Sequence, residues 1–80
     1  MDVRILGEAI KSKEIKAELG GSYTVFLLEN KTSVDTYYRV VTVWNIAQDN
    51  LLVTYVDYIQ DKSEALKRYE KEIIGCKYIA

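Results

Sequence analysis

The most reactive side chain in this sequence is a single thiol, that of Cys76. A cysteine nucleophile needs a neighbouring base to form the thiolate, and histidine, the usual base, does not occur in the chain. Lys77 follows the cysteine, but a lysine is a weak activator by itself. We therefore predict that Cys76 is a small buried apolar side chain, and the alternative is a disulfide between two copies of the chain.

The sequence lacks the residues that usually carry out catalysis or bind cofactors. One cysteine and no histidine exclude an internal disulfide and a cysteine or histidine metal cluster. Gly20 and Gly21 stand without the further glycines and the lysine of a phosphate-binding loop. The glutamates follow the pattern of a solvated surface among lysines: Glu14, Glu18, Glu64, Glu70 and Glu72. We predict a protein that is not an enzyme and that has no metal site, no cofactor and no small-molecule substrate.

Aromatic and basic side chains are the chemistry that remains. The chain has seven tyrosines and one tryptophan, and exposed aromatic rings among Lys and Arg residues can stack on single-stranded nucleic acid. A net charge of −1 disfavours a strong attraction to phosphates. Weak nucleic-acid binding is therefore the alternative function, with these contacts: Lys11, Lys13, Lys16, Tyr37 and Arg39.

A second use of the same aromatic residues is contact with a protein. Tyrosine and arginine are enriched in interfaces because they combine a large contact area with a polar tip. One face of the predicted sheet carries such residues beside valines: Tyr37, Arg39, Val41, Val43, Val53 and Tyr55. We predict that this face forms a homodimer or docks another protein. The other interpretation is that N-terminal strands cover it and leave Arg39 paired with Asp57 at the rim.

Three segments rich in β-branched and aromatic residues must position these side chains. They are residues 22–29, 36–46 and 51–59, and the connections between them contain residues that favour turns. One antiparallel register of the last two strands places favourable partners opposite each other. Its pairs are Arg39 with Asp57, Thr42 with Thr54, Val43 with Val53, Tyr38 with Tyr58, and Trp44 with Leu52.

This register separates the sheet into two faces. The first face is uncharged and is the natural floor for a helix, because an unpaired buried charge is costly. It carries Tyr38, Val40, Thr42, Trp44, Leu52, Thr54, Val56 and Tyr58. The second face is amphipathic and carries Tyr37, Arg39, Val41, Val43, Asn45, Val53, Tyr55 and Asp57.

The C-terminal segment predicts a helix over residues 62–74. Its apolar residues recur at helical spacing, namely Ala65, Leu66, Tyr69 and Ile73. Asp61 can cap the first free amides while Glu64 reaches back to the cap residue. Gly75 can take the left-handed conformation that ends a helix.

The first twenty residues allow two interpretations. Residues 2–19 can form a helix that ends at Gly20, whereas the alternation of residues 15–19 is typical of a strand. We favour strands with a turn near Ser12 and a two-residue hairpin at Gly20 and Gly21. A helix would give an element order that resembles double-stranded RNA-binding domains. The last predicted helix begins without the basic cluster of those domains, so the resemblance does not imply RNA binding.

Composition sets the broad class. Hydrophobic residues make up 49% and charged residues 29% of the 80 residues, which is typical of one globular domain over residues 1–80. No secretion signal or membrane span is evident, so we expect the cytosol. The abundance of Lys, Glu, Ile and Tyr resembles that of small proteins from thermophiles and their viruses, many of which inhibit a host protein.

The predicted fold is therefore α+β. It consists of a small antiparallel sheet, a three-stranded meander joined by any N-terminal strands, with a C-terminal helix packed on one face. The predicted function is a protein-interaction or regulatory module, with a second copy or another protein as partner and no membrane.

Overall fold

The computed structural model describes residues 2–79 and contains a four-stranded antiparallel sheet with one helix across it. The chain begins with a 3₁₀ helix, Val3–Leu6, and continues through β1 (Glu8–Lys16), β2 (Ser22–Lys31), β3 (Thr36–Ile46), β4 (Asp49–Ile59) and α1 (Lys62–Ile79). The strands lie side by side in chain order. The predicted α+β class, the antiparallel meander and the C-terminal helix are confirmed, and the N-terminal segment adds the fourth strand.

The N-terminal segment forms a single strand, so the helical interpretation and the turn near Ser12 are both wrong. Ser12 pairs with Phe26 in the middle of the ladder between β1 and β2. Ile10 and Ile15 would point to opposite faces of a regular strand, because successive side chains alternate. A bulge between Ala9 and Lys11 removes this conflict, and both isoleucines pack into the core under α1. The element order of double-stranded RNA-binding domains is therefore not present.

The connection between β1 and β2 is longer than the predicted two-residue hairpin. It comprises residues 17–21, and the amide of Ala17 donates to the carbonyl of Gly21 at 3.2 Å. Gly21 has a φ of +73°, and a Cβ at this position would collide with the backbone carbonyl oxygen of Asn45. The tight approach of this turn to β3 therefore requires glycine.

The predicted register between β3 and β4 is correct only in its centre. Thr42 pairs with Thr54 as expected. Towards both ends β4 contains an extra residue, so the ladder shifts. As a result three of the other four cross-strand pairs are wrong, and the observed pairs are Tyr38 with Ile59, Val43 with Leu52, and Trp44 with Leu51.

The bulge of β4 near Tyr58 exchanges two side chains between the faces of the sheet. Tyr58 has a φ of +56° and stacks on Tyr37 of the second face, although the register predicts it on the first. Ile59 takes its place opposite Tyr38 and packs into the core under α1. The bulge thus gives the core an aliphatic residue and leaves a tyrosine at the surface.

Helix α1 begins as predicted and ends later. The amide of Ser63 donates to the Asp61 carboxylate at 2.9 Å, which satisfies one of the free donors of the first turn. Glu64 does not reach back; its carboxylate lies 3.6 Å from the ammonium of Lys67. Gly75 lies inside the helix instead of ending it. The physical reason is Cys76, which continues the apolar stripe and is 5% exposed, so its burial favours further helical turns.

The core has two parts on opposite sides of the sheet. Under α1, sheet residues such as Val25, Leu27 and Val40 pack against Ala65 and Tyr69. On the second face a smaller cluster contains Leu28, Val41 and Val43, and it is covered by Val3, Leu6 and Phe26. The second face is therefore partly covered by the N-terminal 3₁₀ helix and not by additional strands.

No helix within residues 2–79 is both long and apolar enough to cross a membrane.

Candidate functional site

Exposed apolar side chains are concentrated on β4. Ten large apolar residues are exposed in the described part of the chain, and five of them lie on this strand: Leu51, Leu52, Val53, Tyr55 and Tyr58. Single exposed apolar residues are ordinary, whereas a contiguous group is typical of an interaction surface. We refer to Leu52, Val53, Tyr55 and Tyr58 as the β4 patch; it is the candidate site.

The patch is open because neither covering element reaches it. Helix α1 packs mainly over β2 and β3 on the opposite side of the sheet. On the second face, Val3 and Leu6 pack on Leu28, Val41 and Val43, which belong to β2 and β3. The second face therefore has a covered half and an open half, and β4 supplies most of the open half.

Arg39 lies at the boundary between these halves. Its Nε donates to the Asp57 carboxylate at 2.7 Å, and its Nη1 donates to the carbonyl of Leu6 at 2.6 Å. The guanidinium carbon also lies 5.3 Å from the ring centroid of Tyr37 and 6.0 Å from that of Tyr55. Arg39 thus links the end of the 3₁₀ helix to β4, and its side chain is only 18% exposed.

The charge of this arginine is compensated locally. The hydrogen bond from Arg39 holds the pKa of Asp57 below its ordinary value, and the same bond raises the pKa of Arg39. The predicted contact of Arg39 with Asp57 is confirmed, although the bulge disturbs the register around it. The border of the patch is consequently a neutral ion pair.

A tyrosine stack forms the other border of the patch. The rings of Tyr37 and Tyr58 lie 4.8 Å apart between centroids, with an angle of 27° between their planes. The hydroxyl of Tyr58 donates to Asp35, and this bond lowers the pKa of Asp35 and raises that of Tyr58. Both rings are therefore held in place at the surface, which reduces the entropy that contact with a partner would cost.

The residues predicted for the interface do not all lie at the surface. Tyr37, Arg39 and Tyr55 come together as expected, and Val53, also on β4, is 46% exposed. Val41 and Val43 are fully or almost fully buried beneath the 3₁₀ helix. The predicted interface thus consists of four residues in or beside the open half and two in the core.

Two patch residues were not indicated by the sequence pattern. Regular alternation assigns Leu52 and Tyr58 to the face under the helix. The two bulges of β4 move both to the second face, opposite Val43 and against Tyr37. A positive φ is uncommon for a bulky residue such as tyrosine, so the residue type at position 58 does not indicate a bulge.

The residues predicted as alternative nucleic-acid contacts are not brought together. Lys11 lies on the helix side, with its ammonium 5.8 Å from the ring centroid of Tyr69. Lys13 pairs with Val25, which packs under the same helix, and Lys16 pairs with Ser22 at the end of β1. Tyr37 and Arg39 lie on β3 and face the other way. These five side chains therefore form no continuous basic and aromatic surface.

Cys76 is buried, as predicted. Burial raises the pKa of its thiol, and the nearby carboxylate of Glu72 acts in the same direction. Within the part of the chain that the structure describes, no three Cys, Asp or Glu side chains are grouped so that they could hold a metal ion.

Comparison of the chain with known protein families, with curated proteins and with solved structures finds no match. The function must therefore be argued from the surface of the molecule.

Proposed function

We propose that this protein is a non-catalytic interaction module that forms a homodimer through the β4 patch and acts in the cytosol as a regulator of other proteins. The observation that carries the proposal is the concentration of exposed apolar side chains on one strand, with Leu52 50% and Tyr58 55% exposed. Removal of such a patch from water by a partner stabilises the complex.

A second copy is a suitable partner because the patch is electrically neutral. In a two-fold dimer the same residues approach each other, so any uncompensated charge would repel its own copy. Arg39 and Asp57 border the patch and neutralise each other, whereas the carboxylate of Asp35 accepts a hydrogen bond from Tyr58 at the other border. Two copies can therefore meet through Leu52, Val53 and Tyr55 without a like-charge contact.

The cytosolic part of the proposal is supported by the cysteine content. One buried thiol contributes no internal disulfide, so the fold does not require an oxidising compartment.

Sedimentation equilibrium tests the dimer. We expect the wild-type protein to be a dimer at high micromolar concentration and Leu52→Glu to be a monomer, because a glutamate at the two-fold interface faces its own copy. The matched control is Leu19→Glu, which makes the same change at a residue that is 96% exposed in the connection between β1 and β2. This control should dimerise like the wild type. Circular dichroism should show that all three proteins are folded.

A wild-type protein that stays monomeric at these concentrations would contradict the proposed dimer. Equal dimerisation of Leu52→Glu and the wild type would show that the copies meet elsewhere. Val41 and Val43 are unsuitable for this experiment because they are buried, so charges introduced there would unfold the protein.

A further inference from the structure

A groove of about 280 Å³ lies between β4 and α1, on the side of the sheet opposite the β4 patch. Its floor is apolar and its wall is formed by charged residues of the helix. The residues that line it are Val56, Ile59, Glu64, Lys67, Arg68 and Lys71. Val56 and Ile59 are only partly buried, so the groove leaves apolar surface in contact with water.

The wall of the groove carries an excess of positive charge. Lys67 lies 3.6 Å from Glu64 and Arg68 lies 4.0 Å from Glu72, which are long contacts between side chains of the surface. With both glutamates counted, the three cations Lys67, Arg68 and Lys71 leave an excess of one positive charge. Lys71 forms no ion pair within the described residues. Three cations therefore face one lining carboxylate, in a chain whose net charge is −1.

The groove opens onto a free strand edge. Within residues 2–79, β4 pairs only with β3, so the backbone amides and carbonyls of its outer side have no partner strand. Residues 50–56 contain neither a charge nor a proline. The opposite edge, β1, carries the charged side chains of Lys11, Lys13 and Glu14, which are a usual protection against strand addition. Bulges occur in both edge strands, so the difference between the edges lies in these charges. The two edges of the sheet thus differ in their capacity to accept another strand.

We propose that the edge of β4 and the groove beside it bind an extended acidic segment of another protein, which adds to the sheet as a fifth strand. Backbone hydrogen bonds to β4 would supply affinity, and side chains of the added strand would supply specificity. Carboxylates on the side facing α1 meet Lys67, Arg68 and Lys71. Apolar side chains on the other side lie next to Tyr55 and extend the apolar surface of the second face.

The spacing of the cations defines the pattern of this segment. Lys67 and Lys71 are one helical turn apart, which is about 6 Å along α1. Alternate residues of a strand are about 6.8 Å apart and point to the same side. The helix runs alongside β4, since Ile59 lines the groove with Glu64 while Thr54 donates to Glu72 at 3.3 Å. The ligand is therefore a strand with acidic residues at alternate positions and apolar residues between them.

Fluorescence anisotropy with a labelled peptide tests the site. The probe is a peptide of alternating Glu and Val, about eight residues long so that it can span a strand. We expect binding at low salt that weakens as salt is added, because exposed charges are screened. Lys67→Glu with Lys71→Glu should weaken binding about tenfold or more, since attraction becomes repulsion. Lys62→Glu with Lys77→Glu makes the same charge change on the same helix outside the groove lining; it is the matched control and should bind like the wild type.

Two further probes separate strand addition from simple charge attraction. A peptide with proline at one central Val position keeps its charges but loses a backbone donor, and it should bind weakly. A peptide with Lys in place of Glu should not bind. Equal binding of the proline peptide, or of single-stranded oligonucleotide of similar charge, would overturn the proposal and indicate a general anion site. No binding of the Glu and Val peptide at low salt would also overturn it.

The peptide site and the dimer can be tested separately, although an added strand would also border Tyr55 of the β4 patch. The groove lies on the helix side, whereas the proposed dimer uses the second face. Leu52→Glu should therefore retain the effect of the lysine substitutions on peptide binding. If the wild type is a monomer and binds the peptide, only the dimer proposal fails. If the wild type is a dimer and neither it nor monomeric Leu52→Glu binds the peptide, only the peptide site fails.

Discussion

At the scale of single residues, Thr42 is a buried polar group without a partner. Its side chain is 1% exposed, and its hydroxyl oxygen makes no hydrogen bond among the described residues. An unsatisfied buried hydroxyl is destabilising, and valine has nearly the same shape without the polar atom. We expect Thr42→Val to raise the free energy of unfolding by about 1 kcal/mol, measured by urea denaturation.

Thr54 provides the control for this prediction. It pairs with Thr42 across the ladder, but its hydroxyl donates to Glu72 at 3.3 Å. Thr54→Val therefore removes a hydrogen bond and should not stabilise the protein. If Thr42→Val has no effect or is destabilising, the hydroxyl has a partner that the described residues do not reveal.

The ion pair of Arg39 and Asp57 predicts a dependence of stability on pH. Since the pKa of Asp57 is lowered in the folded protein, the stabilisation is present above its ordinary pKa of about 3.9 and is lost as the pH falls through the lowered folded value. Asp57→Asn should therefore be less stable than the wild type at neutral pH. The difference should diminish in strong acid.

Urea denaturation of both proteins between neutral pH and strong acid measures this difference. Because the Asp57 side chain is 44% exposed, solvent screens the pair and the effect should be small. A difference that is constant over the whole range would show that the carboxylate charge does not stabilise the fold.

At the scale of elements, Gly75 is a position at which α1 is less stable than another residue would make it. Gly75 lies inside the helix, and a Cβ there would meet no atom within 4 Å. Glycine destabilises a helix interior relative to alanine by roughly 0.5–1 kcal/mol. We expect Gly75→Ala to stabilise the protein by about this amount in thermal or urea denaturation.

Gly21→Ala is the opposing case. There φ is positive and the Cβ would collide with Asn45, so the substitution should destabilise the protein by more than about 1 kcal/mol. If Gly75→Ala destabilises the protein, the helix does not extend through Gly75 as described. If Gly21→Ala stabilises it, the turn does not require glycine.

The elements also show how far the sequence is sufficient. The limits of β3 follow from its β-branched and aromatic residues, and the start of α1 follows from Asp61 and the helical spacing that leads to Tyr69. The end of α1 could not be predicted from Gly75, because the burial of Cys76 against the sheet outweighs the local preference of glycine. Tertiary packing determines where such a helix ends, and a local sequence pattern carries no information about that packing.

The site was predictable to a similar extent. Alternation along β3 and β4 correctly brings Tyr37, Arg39 and Tyr55 together. It could not identify Leu52 and Tyr58, because a bulge changes the face of every residue beyond it and has no clear sequence signal here. The burial of Val41 and Val43 could not be predicted either, because the 3₁₀ helix Val3–Leu6 that covers them is too short to show a periodic pattern.

At the scale of the whole molecule, the 3₁₀ helix determines how much of the second face is open. Leu6 packs on the cluster that contains Val41 and Val43, while its carbonyl accepts hydrogen bonds from Arg39 and Asn30. Leu6→Ala removes the cover and keeps these backbone bonds. We expect a loss of about 1–2 kcal/mol, because the side chain is only partly buried, and a stronger tendency to self-associate.

Urea denaturation and sedimentation together test this substitution. Ile5→Ala is the control, since Ile5 lies in the same 3₁₀ helix and is 78% exposed. It should leave both properties unchanged. Equal effects of the two substitutions would show that the 3₁₀ helix does not act as a cover through Leu6.

The order of the strands has a consequence for the route by which the chain folds. Each strand pairs with the one that follows it in sequence, so the sheet has the lowest contact order that four antiparallel strands allow. Its hairpins can form one after another, with little loop-closure entropy for each step. Helix α1 needs the completed floor of β2 and β3 before it can bury Ala65 and Tyr69. We therefore expect docking of this helix to be the step that converts a chain of hairpins into a cooperative fold.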